Sequence, residues 1–124
     1  MTQLPESLVG YWRITWMDLW DQDTVETQGP GFLRIGADGL GEISFICVEG
    51  GLDCHRAERE ESIGVEFSWL GSDEGTPCSG RGCAFLSESG DGLLGSISFY
   101  RGDDSAFHAE RARMDDAKSA DGLR

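Results

Sequence analysis

Pairs of acidic residues beside turns are the groups in this sequence with the clearest capacity for chemistry. The pairs are Asp21 and Asp23, Asp73 and Glu74, and Asp103 and Asp104. Such carboxylates can hold a hard cation, act as general acid and base, bind an arginine fork, or accept hydrogen bonds from turn amides. The dense Asp-x-Asp-x-Asp-Gly loop of a calcium site is absent, so no metal ion is predicted.

Cysteine and histidine are the other reactive residue types. The cysteines are Cys47, Cys54, Cys78 and Cys83. Their spacings do not match the usual Cys-x2-Cys zinc knuckle, so buried reduced thiols are the favoured interpretation, with a structural zinc site as the open alternative. Neither His55 nor His108 has a nucleophile beside it in sequence, and no glycine-rich phosphate loop leads into a helix. We therefore predict no catalytic residues and no cofactor.

The charge balance limits the class of partner. The formal net charge is −13, and Lys118 is the only lysine. Phosphate backbones repel such a chain, so nucleic-acid binding is not expected, whereas a basic protein partner is compatible with it. No apolar run approaches the roughly 20 residues that span a bilayer, and the N-terminus has no basic and apolar leader. We expect a cytoplasmic protein that does not contact membranes.

Alternating apolar residues predict the strands that must position these groups. Leu8, Trp12, Ile14 and Trp16 share one parity of the first strand and are assigned to the core. The predicted strands cover 8–18, 24–35 (broken at 29–31), 41–48, 52–59, a run beginning at 63, 81–86, 93–100 and 105–113. Short turns and closure favour an all-β, eight-stranded antiparallel up-and-down barrel in a single domain, 1–113. Residues 114–124 form a polar tail, predicted to be disordered or a short helix.

Two turn assignments fix the predicted register. Gly50-Gly51 is typical of a two-residue hairpin turn and would place Cys47 opposite Cys54. Residues 71–80 are predicted to be the longest loop, over the mouth of the barrel.

Loops alternate between the two ends of an up-and-down barrel, so the three acidic pairs should gather at one rim. Arg81 and Arg101 are the only cations expected in those loops. Because arginine binds carboxylates in a bidentate fork, we expect Arg81 to pair with at least one rim acid. The predicted binding set is Asp21, Asp23, Asp73, Glu74, Arg81, Arg101, Asp103 and Asp104.

Short motifs resemble known families. Gly10-x-Trp12 on the first strand, with Arg111 on the last, resembles the calycin pattern of lipocalins, which implies a Trp at the closed end beneath the Arg. A second resemblance, to a family of small uncharacterised bacterial proteins, covers most of the chain. Its motifs are Trp12-Arg13-Ile14, Trp20-Asp21-Gln22-Asp23, Gly51-Leu52-Asp53-Cys54, Val65-Glu66-Phe67-Ser68-Trp69, Gly71-x-Asp73-Glu74, Ser79-Gly80-Arg81-Gly82 and Gly102-Asp103-Asp104-Ser105-x-Phe107. It implies a compact calycin-like barrel of bacterial origin and supplies no activity.

Three functions are consistent with this sequence. The first is a non-enzymatic barrel that binds a small polar ligand at the acidic rim, and it predicts a cavity above Trp12. The second is an acidic interaction module, inhibitor-like or antitoxin-like, with a basic protein partner; it predicts a filled barrel. The third is a small enzyme that uses rim carboxylates, one of which would have a raised pKa.

Overall fold

The computed structural model describes residues 3–113, and over that range the chain is a closed antiparallel barrel. Each strand pairs with its neighbours in sequence, and the last strand closes onto the first. The strands are β1 (Gly10–Met17), β2 (Phe32–Ile35), β3 (Leu40–Phe45), β4 (Val48–Arg59), β5 (Ser62–Asp73), β6 (Thr76–Leu86), β7 (Gly92–Phe99) and β8 (Asp104–Ala112). One short helix, α1 (Gln22–Val25), lies between β1 and β2. The predicted eight-stranded up-and-down barrel is confirmed, while the predicted tail at 114–124 lies outside the described residues.

The connections divide between two ends. Segment 18–31 and the turns at 46–47, 74–75 and 100–103 lie at one end, which we call the rim end. The segment 3–9 and the connections at 36–39, 60–61 and 87–91 lie at the opposite end. The expected alternation of loops is therefore present.

Aromatic side chains fill the barrel interior. Trp12, Phe45 and Phe107 are fully buried in one continuous apolar core. Glycines on the inner wall make room for the rings: a Cβ on Gly82 would lie 2.4 Å from the Phe67 ring. These contacts indicate an interior filled by side chains, as in other small barrels.

The turn between β3 and β4 differs from the prediction. It is formed by Ile46-Cys47, with Phe45 opposite Val48, while Gly50 and Gly51 lie inside β4. Ile46 adopts a left-handed φ of 56°, and its amide donates to the Val25 carbonyl at 2.7 Å. This hydrogen bond to the α1 segment stabilises the turn, which contains no glycine. The predicted pairing of Cys47 with Cys54 is therefore wrong.

The predicted loop at 71–80 is instead a strand hairpin. β5 and β6 pair continuously up to Asp73 and Thr76, and Glu74-Gly75 make a tight turn. Glycines in this stretch serve close backbone approach: a Cβ on Gly80 would lie 1.8 Å from the Ser98 carbonyl oxygen. The prediction was wrong because glycine was interpreted as a turn signal rather than as space for a neighbouring strand.

The predicted second strand, 24–35, begins eight residues too early. The Asp21 carboxylate accepts the Thr24 amide at 2.8 Å and caps α1, so the chain makes one helical turn before β2 begins at Phe32. N-capping by aspartate is a local signal that strand periodicity does not reveal.

A β-bulge in β1 changes the side on which Trp16 lies. The pairing with β8 shifts between Ile14 and Trp16. Trp16 consequently points outward and stacks on His108 at 4.6 Å between ring centroids, and Met17 takes the buried position. The inward assignment of Trp16 was wrong because a bulge inserts one residue and reverses parity.

Candidate binding surface at the rim end

The barrel topology brings all six predicted acidic residues to the rim end. Asp21 and Asp23 lie in and beside α1, Asp73 and Glu74 at the β5–β6 turn, and Asp103 and Asp104 at the start of β8. All six are exposed. The common placement follows from the number of strands and from the alternation of loops between the two ends, both of which were predicted correctly from the sequence.

Within residues 3–113, none of these six carboxylates forms an ion pair; the pairs that the structure shows join Arg13, Arg34, Arg56 and His55 to other carboxylates. Asp21 has a structural role, since the hydrogen bonds from Thr24 hold the pKa of its carboxyl below the ordinary value. The other five are not helix caps. The rim end therefore carries negative charge that the barrel itself does not neutralise.

The predicted pairing of Arg81 with the rim acids is wrong. Arg81 lies in the middle of β6, opposite Ser68 and Ser98, with its side chain exposed on the outer wall. Asp104 pairs with Ser98 on the next strand, so a whole strand separates it from Arg81. Arg101 does lie at the rim end, in the 100–103 turn, with its guanidinium 5.6 Å from the centroid of the Tyr100 ring.

Aromatic rings close the barrel mouth at the rim end. Trp20 lies 6.0 Å from Phe45, Phe45 lies 6.1 Å from Phe99, and Phe99 lies 5.1 Å from Trp69, measured between ring centroids. The Trp69 indole nitrogen donates to the Ser98 carbonyl at 3.1 Å, which satisfies its polar edge. The recessed sites on the described chain include open grooves on the outer surface, such as one of about 730 Å³ lined by Phe32, Arg34, Glu42 and Gly51.

Two exposed apolar side chains lie beside the rim acids. Leu70 is 72% exposed and Tyr100 is 73% exposed, the largest values among the large hydrophobic residues described. Both flank Ser79: Leu70 is its cross-strand partner, and the Tyr100 amide donates to its carbonyl at 2.7 Å. We call the set Leu70, Asp73, Glu74, Tyr100, Asp103 and Asp104 the rim surface.

Sequence reasoning missed the apolar part of this surface, although a signal was present. In β5, Val65, Phe67 and Trp69 are buried, so Glu66, Ser68 and Leu70 must point outward. A leucine on the solvent parity of a strand is the feature that could have identified the patch. Tyr100 was assigned to the end of a strand, with no role.

The cysteines are free thiols and do not form a metal cluster. No group of three or more potential ligands is present between residues 3 and 113. Burial raises the pKa of Cys54 to about 12, with a smaller contribution from Asp53. Burial also raises the pKa of Cys47, and the charges of Glu74 and Asp73 raise it further. The raised pKa values keep the thiols of Cys47 and Cys54 protonated at neutral pH.

The end opposite the rim is closed by Trp12 and Arg111. The Arg111 guanidinium lies 4.1 Å from the Trp12 ring centroid, and the indole nitrogen donates to the Leu8 carbonyl at 3.0 Å. Arg111 also donates to the carbonyls of Val9 and Ser7. A Cβ on Gly10 would lie 3.1 Å from the guanidinium, which explains the glycine two residues before Trp12. The predicted cation–π contact is confirmed.

No helix in the described part of the chain is both long and apolar enough to cross a bilayer. No protein-family model, curated protein or solved structure matches this sequence or fold.

Proposed function

We propose that this protein is an acidic protein-interaction module that docks a basic partner on the rim surface. The observation that carries the proposal is the position of Leu70 on β5 and Tyr100 in the 100–103 turn, both exposed, on either side of Ser79 of β6. Apolar anchors surrounded by charges are the usual anatomy of a protein interface.

The filled interior favours this function over a ligand pocket inside the barrel. A pocket above Trp12 would need empty space between Trp12 and the mouth, whereas Phe45, Phe99 and Trp69 occupy the upper level. A carboxylate catalyst is also less well supported. The pKa shifts at Asp21 and Glu26 are downward, whereas a general acid needs an upward shift.

Charge complementarity sets the chemistry of the partner. The four acids of the rim surface lie without guanidinium partners, and the chain as a whole carries a net charge of −13. A basic surface would gain attraction over a long range and a faster association rate. Leu70 and Tyr100 then supply the short-range contact that a purely ionic encounter lacks.

The test uses a synthetic arginine-rich peptide that contains leucines, with binding measured by calorimetry. The rim variant is D73N/E74Q/D103N/D104N. The matched control, E60Q/E61Q/E88Q/D91N, removes the same four charges from the opposite end, where these residues are also exposed. We expect the rim variant to weaken binding at least about tenfold and the control to weaken it by less than about threefold, since charge effects screen within roughly 10 Å.

The apolar half of the proposal has its own control. Leu70→Ser and Tyr100→Ser should each weaken binding of the leucine-containing peptide, while Leu40→Ser, at another exposed leucine, should not. Equal losses in the rim variant and its opposite-end control would show attraction by net charge alone and would overturn the proposal. Absence of binding by the wild-type protein would also overturn it.

We further propose that the barrel is calycin-like, bacterial and cytoplasmic. The Trp12–Arg111 contact supports the calycin relationship, and the four free thiols support a reducing compartment. An inhibitor-like or antitoxin-like role would be one form of the proposed interaction.

A further inference from the structure

Arg81 is the one arginine within residues 3–113 for which the structure shows no side-chain partner. Arg13, Arg34 and Arg56 bond to carboxylates, Arg111 bonds to carbonyls, and Arg101 lies near Tyr100. Arg113 also has an interaction. In a chain with 23 acidic and 10 basic residues, an arginine that forms no ion pair is unexpected on electrostatic grounds.

Arg81 lines a groove on the outer wall together with a second arginine. The groove has a volume of about 620 Å³, and we call it the wall groove; its lining includes Arg59, Glu66, Ser68, Arg81, Cys83 and Ser98. Ser68 and Ser98 are the cross-strand neighbours of Arg81; the Ser98 hydroxyl donates to the Arg81 carbonyl at 3.3 Å, whereas the structure shows no hydrogen bond from the Ser68 hydroxyl within the described chain. The Arg81 guanidinium and the Ser68 hydroxyl are donors of the kind that bind an oxygen-rich anion.

The second guanidinium is held in place by the barrel. Arg59 lies over the Phe85 ring at 4.3 Å from its centroid, and its Nη2 donates to the Cys83 Sγ at 3.8 Å. The Phe85 ring lies on the outer face of the barrel but is buried. A Cβ on Gly64 would collide with this ring, so the glycine leaves room for it. An arginine stacked on a fixed ring loses less conformational freedom when it binds a ligand than a free one does.

We infer that the wall groove is a binding site for a small molecule with a phosphate or carboxylate group. The oxyanion would lie between the guanidinium groups of Arg59 and Arg81 and accept a hydrogen bond from the Ser68 hydroxyl. The site is separate from the rim surface, and its existence does not depend on the proposed protein interaction. Glu66 also lines the groove, and its negative charge opposes anion binding. Removal of that charge therefore tests the inference.

The experiment is a titration of the isotope-labelled protein with inorganic phosphate, followed by NMR shifts of the groove amides. A second titration uses acetate, and sodium chloride at matched ionic strength is the reference for both. We expect saturable shifts at Ser68, Gly82 and Ser98 with phosphate or acetate and not with chloride. The anion that binds more tightly identifies the class of ligand group.

Three variants separate a site from general surface charge. Arg81→Gln should weaken the tighter anion at least about tenfold, because it removes a charge-assisted fork. Arg56→Gln removes an equal charge outside the groove and should change the affinity less than about twofold. Glu66→Gln should strengthen binding. Shifts no larger than those with chloride, or equal weakening by the Arg56 and Arg81 substitutions, would overturn the inference.

Cysteine alkylation gives an independent readout. Iodoacetate and iodoacetamide both react by displacement of iodide and formation of a carbon–sulfur bond, but only iodoacetate is an anion. The ratio of their rates should be higher at Cys83, beside Arg59, than at Cys47, beside Asp73 and Glu74. Arg81→Gln should lower the ratio at Cys83 alone; an unchanged ratio there would contradict the inference.

Discussion

Polar side chains at one end of the barrel have partners within the protein, whereas the six predicted carboxylates at the rim end have no cationic partners within the described chain. At the end opposite the rim, the Trp12 indole and the Arg111 guanidinium both have backbone carbonyl partners, and the guanidinium covers the ring. At the rim end, a plug of aromatic rings closes the interior, and the carboxylates around it have no cationic partners within the described chain. The polar contacts at the first end stabilise the fold, whereas the second end is closed by aromatic packing and not by its surface charges.

This difference separates residues that stabilise the fold from residues that are available to bind. A buried polar group without a partner costs about 1–3 kcal/mol, so a closed end must satisfy its donors internally. Exposed carboxylates have no such requirement because water solvates them. Substitutions at one end should therefore change stability, while substitutions at the rim should change binding.

The largest expected effect is at Trp12. Trp12→Ala should lower the free energy of unfolding by about 3–5 kcal/mol, because it leaves a cavity and removes the cation–π contact. Trp16→Ala is the matched control: Trp16 is 43% exposed and stacks only on the outer face, so the loss should be about 1 kcal/mol or less. Urea unfolding measures both, and similar losses would contradict the division between core and wall in β1.

A glycine substitution tests whether the interior is filled. Gly82→Ala would place a Cβ 2.4 Å from the Phe67 ring, and overpacking of this kind costs about 1–3 kcal/mol. Gly51→Ala in β4 meets no atom closer than 3.9 Å and should be neutral or slightly stabilising. If Gly82→Ala proved as mild as Gly51→Ala, the interior would have spare volume, and a ligand pocket would regain support.

Neutralisation of the rim acids should leave stability intact. The variant D73N/E74Q/D103N/D104N removes like charges that repel one another, so the free energy of unfolding should stay constant or rise by up to about 1 kcal/mol at low ionic strength. Any gain should shrink in about 1 M salt, where the screening length is roughly 3 Å. A loss of more than about 1 kcal/mol would show that these carboxylates stabilise the fold and would weaken the contrast between the ends.

Sequence periodicity predicted the parts of the fold that depend on alternation alone. The parity of Val65, Phe67 and Trp69 determined the inward face of β5, and the strand count placed the six acids at one end. The errors occurred at residues of a type, such as glycine, that is found both in turns and inside strands. Gly50 resembles a turn residue, but in β4 it lies under the Trp69 ring, where a Cβ would approach to 3.0 Å.

The candidate site was less predictable than the fold because it depends on register. Arg81 was expected at the rim because residues 71–80 were predicted to be a loop and Arg81 to begin the next strand; since that stretch is instead paired as a hairpin, Arg81 lies in the middle of β6. The partnership of Arg59 with Phe85 joins residues 26 positions apart, and no local pattern indicates it. Long-range contacts of this kind require the three-dimensional arrangement.

The smallest expected effect is a pH dependence from the α1 segment. The Arg13 Nη2 lies 2.7 Å from the Glu26 Oε2, and Gln22 donates to the same oxygen at 3.1 Å. The hydrogen bond from Arg13 holds the pKa of Glu26 below its ordinary value of 4.5. Because the folded state favours the ionised carboxylate, this stabilisation is complete above the unfolded-state pKa and is lost as the pH falls through the folded-state pKa. Both side chains are partly exposed, so the contribution should be about 0.5 kcal/mol.

Glu26→Gln isolates this contribution. The difference in unfolding midpoint between wild type and variant should be constant from about pH 6 to 8 and should disappear as the pH falls through the folded-state pKa of Glu26. Glu61→Gln, at an exposed carboxylate of the opposite end, is the control for the loss of one negative charge. A Glu26 difference that persisted in acid would mean that packing of the side chain against α1, and not the ion pair with β1, holds this segment over the rim end.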